Sequence, residues 1–292
     1  MKNKRAIVAL VVVLLVVVTS ASLAQWRRGR GRGRDRGRDD DWDPRAGVPM
    51  WENDEGFKDD VFTFVRIQYD SWRGWGRRGW GRGGGGWATD YNDSDYNFSY
   101  RLQQLTSLKV NPNPIILRLT DEELFDYPFI YIIEPGSLVF DDQEVVALRK
   151  YLLNGGFLMV DDFWGDDQWQ NFYEQIKRVF PDREPEELPL DHEIFRCVYR
   201  LKEKPQVPSI DAAEDGRAYG ITYEPYHGGD CETVHFKGIF DDKRRMMAII
   251  CHNTDLGDGW EREGESEWYF HEFAENKSYP MGINIVTYAM TH

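Results

Sequence analysis

The stretch Leu152 to Gly165, LLNGGFLMVDDFWG, constrains the fold more than any other part of the chain. A helix-like apolar spacing halts at Asn154-Gly155-Gly156, and the run Phe157 to Val160 then breaks abruptly into Asp161 and Asp162. An unbroken apolar run of this kind suits a central strand buried on both faces. Open α/β sheets place their ligand crevice outside the carboxyl ends of such strands. The segment therefore predicts a parallel sheet and puts a polar site at the end of one of its strands.

The flanking residues extend that pattern. Phe62 to Tyr69, β-branched and aromatic, reads as the first strand and leads into Asp70. Ser94 is placed to cap a helix with Phe98, Leu102 and Leu105 on one face, and a short strand follows at Ile115 to Leu119. Thr120 with Glu123 spells a capping box, and Phe129 to Ile133 is a buried strand ending at Glu134. Asp141 and Glu144 open the helix that stops at Asn154-Gly155. After the Asp161 strand, a helix over about Asp166 to Phe180 carries Trp169, Phe172, Tyr173, Ile176 and Phe180 inward. Strand and helix alternate, which implies parallel strands joined by right-handed crossovers. Beyond Pro181, HEIFRCVYRL, YGITYEP and MMAIICHN are strand candidates, and Pro280 opens a last helix. The expected fold is an α/β, flavodoxin-like three-layer sandwich with a mostly parallel sheet.

Lys2, Lys4 and Arg5 precede an apolar run from Ala6 to Val18, and Ser22 and Ala24 fit the small positions of a cleavage site before Gln25. The run is shorter than the roughly 20 residues of a membrane span. Residues 1–24 are thus expected to be a cleaved export signal, which implies a periplasmic or secreted protein. Residues 25–56 read as an Arg/Gly/Asp-rich tether with too few aliphatic side chains to order itself. Residues 57–292 form the expected domain, with a Gly/Trp/Arg-rich loop at 73–87 hanging from the first strand. Three cysteines, Cys197, Cys231 and Cys251, allow at most one internal bridge, and Cys197 and Cys251 sit in apolar runs that suit buried thiols.

The net charge of −14 conceals an asymmetry. Three cations lie in the signal, residues 25–48 carry eight Arg against five Asp, and residues 73–82 add four Arg, which leaves −24 on the remainder. Such a body repels nucleic acid, so no nucleic-acid partner is expected. The Arg-rich tether suits contact with an anionic membrane surface or an acidic wall polymer.

The segments DYNDSDYNFSYRLQQLT, ILRLTDEELFDYPFIYIIEPG, LRKYLLNGGFLMVDDFWG, DHEIF and FHEFAENKSYPMGINIVTYAM together resemble the bacterial family called domain of unknown function 4159, from about Phe57 to the C-terminus. The resemblance implies a flavodoxin-like fold grouped with class I glutamine amidotransferase-like domains. Active members of that wider group carry a Cys on the turn after the strand matching Phe157 to Val160. Here the turn holds Asp161, Asp162 and Phe163, so Cys-His glutaminase chemistry is not expected.

Several strand ends should bring polar side chains to one crevice. Asp161 and Asp162 with His252 are the candidate catalytic groups, since neighbouring acids raise one another's pKa and suit acid/base work. Strand alternation lets only one of the two acids face the crevice, and Asp162 as a helix cap is the structural alternative. Asp70, Glu134 and Asn253 are expected to line the same rim. Asp90 and Asp95 lie in TDYNDSDYN, where the calcium-loop pattern fails because Asp95 and Arg101 occupy its sixth and twelfth positions. Asp258 and Trp260, in what reads as an Asp-Gly turn, are expected to join Trp164 in holding a sugar. His192 reads as a structural histidine. No metal or cofactor is expected. The composite expectation is a catalytically inactive, amidotransferase-like domain that binds an envelope protein or polysaccharide. The alternative is a carboxylate-dependent hydrolase using Asp161 or Asp162 with His252, with or without a divalent metal.

Overall fold

The computed structural model describes residues 45, 47–57, 60–72 and 86–292. The expected signal, residues 25–44 of the expected tether, and residues 73–85 of the expected loop lie outside the described residues. From the first strand on, β1 (Val65–Ile67), β2 (Asp70–Ser71), helix α1 (Asp93–Leu105), β3 (Ile115–Leu117), β4 (Phe129–Ile133), β5 (Leu138–Val139), α2 (Asp142–Leu153), β6 (Phe157–Asp161) and α3 (Gly165–Val179) follow in turn. The second half adds β7 (Glu186–Glu187), α4 (Ile210–Gly216), β8 (His235–Phe240), β9 (Met246–His252), α5 (Leu256–Glu261) and a terminal α6 (Tyr279–Thr291).

The main sheet has seven strands in the order β3-β1-β4-β6-β9-β8-β7, while β2 and β5 form a separate antiparallel pair. Its first five strands run parallel, and β8 and β7 add antiparallel at the far edge. The parallel part is the 2-1-3-4-5 order of a flavodoxin-like sheet, with its topological switch between β1 and β4. Alternation along each strand splits the core in two. Phe129, Tyr131, Phe157 and Met159 face α1, α5 and α6, whereas Ile130, Ile132, Leu158 and Val160 face α2 and α3. Among the described residues, no helix is long and apolar enough to cross a membrane.

Local chemistry explains the elements that the sequence foretold. At the start of α2, Gln143 N and Glu144 N donate to Asp141 Oδ1, and Asp141 N donates to Glu144 Oε2, a complete capping box. The helix ends at Asn154, and Gly155 takes a φ of +108° that a side chain would resist. Other expectations need correction. Ser94 lies inside α1, its hydroxyl held by Arg66 and Asp95. At Thr120 the expected capping box gives way to a 3-10 turn, Glu122–Asp126, entered from Asp121. HEIFRCVYRL contains only a 3-10 turn, and YGITYEP is irregular. Among the strands that the sequence did not foretell is β8, which pairs with β9 over its whole length.

The end of the expected tether is also ordered. Trp51 Nε1 and Asn53 Nδ2 both donate to Val110 O, each at 2.8 Å, and the Trp51 ring lies 5.7 Å from that of Tyr100. One indole and one amide thus satisfy a carbonyl beside the sheet, which the low-complexity composition of the stretch obscured.

Candidate functional site

Four of the five non-glycine residues with left-handed backbone among the described residues are Asp90, Glu134, Asp162 and Asn253, all where the parallel strands end. Side chains other than Gly, Asn and Asp resist this conformation, and its clustering marks functional sites. Each turn releases a side chain from the alternation of its strand. After β6, Asp161 keeps the register of Phe157 and Met159 and points to the α5 face, while Asp162, at φ +55°, swings out of the sheet.

Where these turns meet lies a cavity of about 440 Å³. Asp90, Glu134, Asp162, Asp255 and Asp258 bring carboxyl groups to it, and Arg262 is the one arginine or lysine in its wall among the described residues. Asp90, Asp162 and Asp255 place carboxylate oxygens within 4.8 Å of one another, as do Asp90, Asp258 and Glu261. Asp90 belongs to both groups, and its buried Oδ2 has no hydrogen-bond partner among the described residues. Burial pushes the pKa of Asp90, Asp162 and Asp255 well above the carboxylate range. Neighbouring acids add to this: Glu261 and Asp258 for Asp90, Glu134 and Asp90 for Asp162, Asp162 and Asp90 for Asp255. Asp258 is raised less: burial lifts it, while Arg262 at 3.2 Å and the Ile210 amide, 2.5 Å from Oδ2, favour its charged form.

The other wall comes from α3 and the irregular segment before β8. Trp164 N donates to Gln168 Oε1 at 2.9 Å, so the Gln168 amide nitrogen is the donor toward His227 Nδ1 at 3.0 Å. His227 then carries its proton on Nε2 and donates it to Glu224 Oε2 at 2.9 Å, while Glu224 Oε1 accepts from Ser209 N. Burial alone would raise the Glu224 pKa, but these donors outweigh it and hold the group below its usual range. Both ring nitrogens of His227 are engaged, so the imidazole braces this wall. Gly165 permits the arrangement: a β-carbon there would come within 2.1 Å of Gly228 O.

The structure brings together five of the expected residues, Asp90, Glu134, Asp162, Trp164 and Asp258. Trp164 is 1% exposed; its Nε1 donates to Asp162 Oδ1 at 3.2 Å and its ring stacks on His227, so it is wall and not an open platform.

The remaining six lie elsewhere. Asp161 accepts from Leu256 N, Gly257 N and the Tyr131 hydroxyl, and burial pushes its pKa up to about 7 against the pull of those donors. His252 follows the opposite parity and sits on the α3 face between Phe163 and Trp169, where its Nε2 donates to Gly165 O. Asp161 and His252 therefore occupy opposite faces of the sheet, and the catalytic pairing expected of them has no geometric basis. Asp162 does not meet His252 in the cavity either.

Asp95 is locked in a buried ion pair with Arg66 at 2.5 Å. Asp70 is exposed and pairs with Arg118. Asn253 is consumed by Gly165 N, Asp230 O and Thr233 O. Trp260 is fully buried against Phe98 and Phe64, so the shared cleft with Trp164 does not form. The expected Asp-Gly turn is instead α5, capped by Asp255, whose Oδ1 accepts from Asp258 N.

Asp255, Glu224, His227, Gln168, Ser209 and Arg262 were not foreseen as site residues. The clue for the middle of this set was Glu224-Pro225-Tyr226-His227-Gly228-Gly229, where Pro and Gly bracket a polar pair and argue against the strand expected there. Cys197, Cys231 and Cys251 are all free thiols.

Residues 63–290 match the profile of the family described as Domain of unknown function (DUF4159), and the chain belongs to that family. No curated protein matches it.

Proposed function

We propose that this is an exported, cation-dependent binding protein of the cell envelope, in which a divalent metal held by Asp90, Asp162 and Asp255 captures a hydroxyl-rich saccharide or a partner's polar group. One observation carries this reading: three carboxyl groups, each raised in pKa by burial and by its neighbours, place oxygens within 4.8 Å of one another in a cavity. Placing that much acid together with Arg262 as the one matching cation among the described lining residues is costly, and a hard divalent ion with oxygen ligands would relieve it. The cavity volume is in the range of small-ligand sites, which leaves room for a sugar-sized group beside the ion.

We read the scaffold as amidotransferase-like but without the thiol chemistry. Asp161 and Asp162 stand where the nucleophile of that group would sit, and the three cysteines lie elsewhere in the chain. The signal-like sequence of residues 1–24 supports a reading of periplasmic or secreted location. A metal-assisted hydrolase is the second reading, favoured by Asp162 and Asp255, whose raised pKa values suit proton transfer beside a bound ion.

Calorimetric titration with calcium, magnesium and manganese is the test. The expected result is saturable binding of at least one ion, weakened at least about tenfold by Asp162→Asn. No binding of any of them, or equal binding by the variant, overturns the proposal. Metal-dependent turnover of model glycosides or phosphodiesters, abolished by Asp162→Asn, would favour the hydrolase over the binding protein.

A further inference from the structure

Two acid groups share Asp90 in the cavity, and the chain treats them differently. In the first, the donors described for Asp162 and Asp255 are neutral: Trp164 Nε1 at 3.2 Å and the Asp258 amide at 2.7 Å. The second, Asp90 with Asp258 and Glu261, already meets a cation. Arg262 Nε donates to Asp258 Oδ1 at 3.2 Å and lies 2.5 Å from Glu261 Oε2. Its Nη1 donates to the exposed Glu265 at 3.2 Å. Arg262 follows the last turn of α5, its backbone N donating to Asp258 O, and the four-residue spacing brings its side chain back to Asp258.

We propose that Arg262 is a resident counter-ion that fills the second acid group and so limits the cavity to one divalent ion. A guanidinium stays charged at any working pH, and it cannot share the oxygens of Asp258 and Glu261 with a divalent cation, because the two repel. Burial would lower the Arg262 pKa, but Glu261 and Asp258 outweigh it and hold the group above its ordinary value. Filled with metal instead, the second group would set two ions side by side across Asp90, the paired arrangement with which two-metal hydrolases clamp attacking and leaving oxygens. With Arg262 in place, one ion is left to hold a ligand oxygen. The single-ion limit rests on the proposed ion site at Asp90, Asp162 and Asp255; the closing of the second group by Arg262 does not.

Manganese is the probe, with bound ions counted per full chain by equilibrium dialysis and calorimetry. The parent should bind one ion, and Arg262→Gln should bind one more than the parent. Adding Glu261→Gln to Arg262→Gln should remove the gained ion. A helix-end arginine with a merely structural role would not change the count. The same count in Arg262→Gln as in the parent, or a gained ion that survives the second change, overturns the proposal.

If Arg262→Gln does not fold, Glu261→Gln decides the matter by itself. That variant should leave the parent's count as it is, and loss of an ion shows metal in the second group and overturns the proposal. Failure of the cavity's proposed function reads differently. In that case the parent binds no ion, while Arg262→Gln still gains one that disappears when Glu261→Gln is added.

Discussion

Asp90 and Asp95 stand five positions apart around the start of α1, and their surroundings differ in kind. Asp95 is buried with its charge matched: Arg66 donates to both carboxylate oxygens, Ser94 adds a hydroxyl, and the rest of the guanidinium is used by Trp87 O and Thr89 O. Burial alone would lower the Arg66 pKa, but Asp95 outweighs it and holds the guanidinium above its ordinary value. Asp90 has an oxygen with no hydrogen-bond partner among the described residues and faces other acids. The first arrangement is a latch that holds the 87–90 turn in place. The second is what the latch presents to the cavity. A fold can thus use one satisfied ion pair to hold an unsatisfied acid where a ligand can reach it.

The largest effect should come from breaking the latch. Arg66→Met leaves Asp95 buried and unmatched, which should cost about 3–5 kcal/mol in denaturant unfolding, and adding Asp95→Leu should recover much of that loss. A loss below about 1 kcal/mol for the single change would show that the pair does not hold the turn.

A smaller effect is expected at His252, a buried polar group near the same strand ends that is only half satisfied. Burial pushes its pKa down to about 4, and its Nδ1 has no hydrogen-bond partner among the described residues. Because the folded pKa lies below the ordinary value near 6.5, the unfolded chain takes up the proton first. The neutral ring's contribution is complete above about pH 6.5 and is lost as pH falls from there toward 4, by at most about 3 kcal/mol. Unfolding free energies of parent and His252→Phe, compared across that window, should diverge as the pH drops. Parallel curves would show that His252 does not differ from its ordinary state.

The smallest change belongs to the cavity itself. Asp162→Asn removes a charge from among its like-charged neighbours and should leave the metal-free protein unchanged or stabilised by about 1 kcal/mol or less. Marked destabilisation would mean that Asp162 is structural, like Asp95, and would erase the contrast between the two regions.

The sequence by itself determined what short-range physics controls. The capping box at Asp141 and Glu144, the stop at Asn154-Gly155, the buried run Phe157 to Val160 and the apolar face of α3 all depend on neighbours a few residues away, and together they made the parallel half of the sheet legible. The site was legible as a place: Asp162, Glu134 and Asp90 lie at strand ends or next to a helix start. Its membership was not. Asp161 and His252 look equivalent to Asp162 in sequence, but strand parity sends them to opposite faces of the sheet. Asp255, Glu224 and His227 come from distant segments and acquire their roles only when β9 and the irregular stretch before β8 pack against the rest. The tertiary structure decided which acids would be matched and which left facing one another, because electrostatics acts through space and the charges that settle it are far apart along the chain.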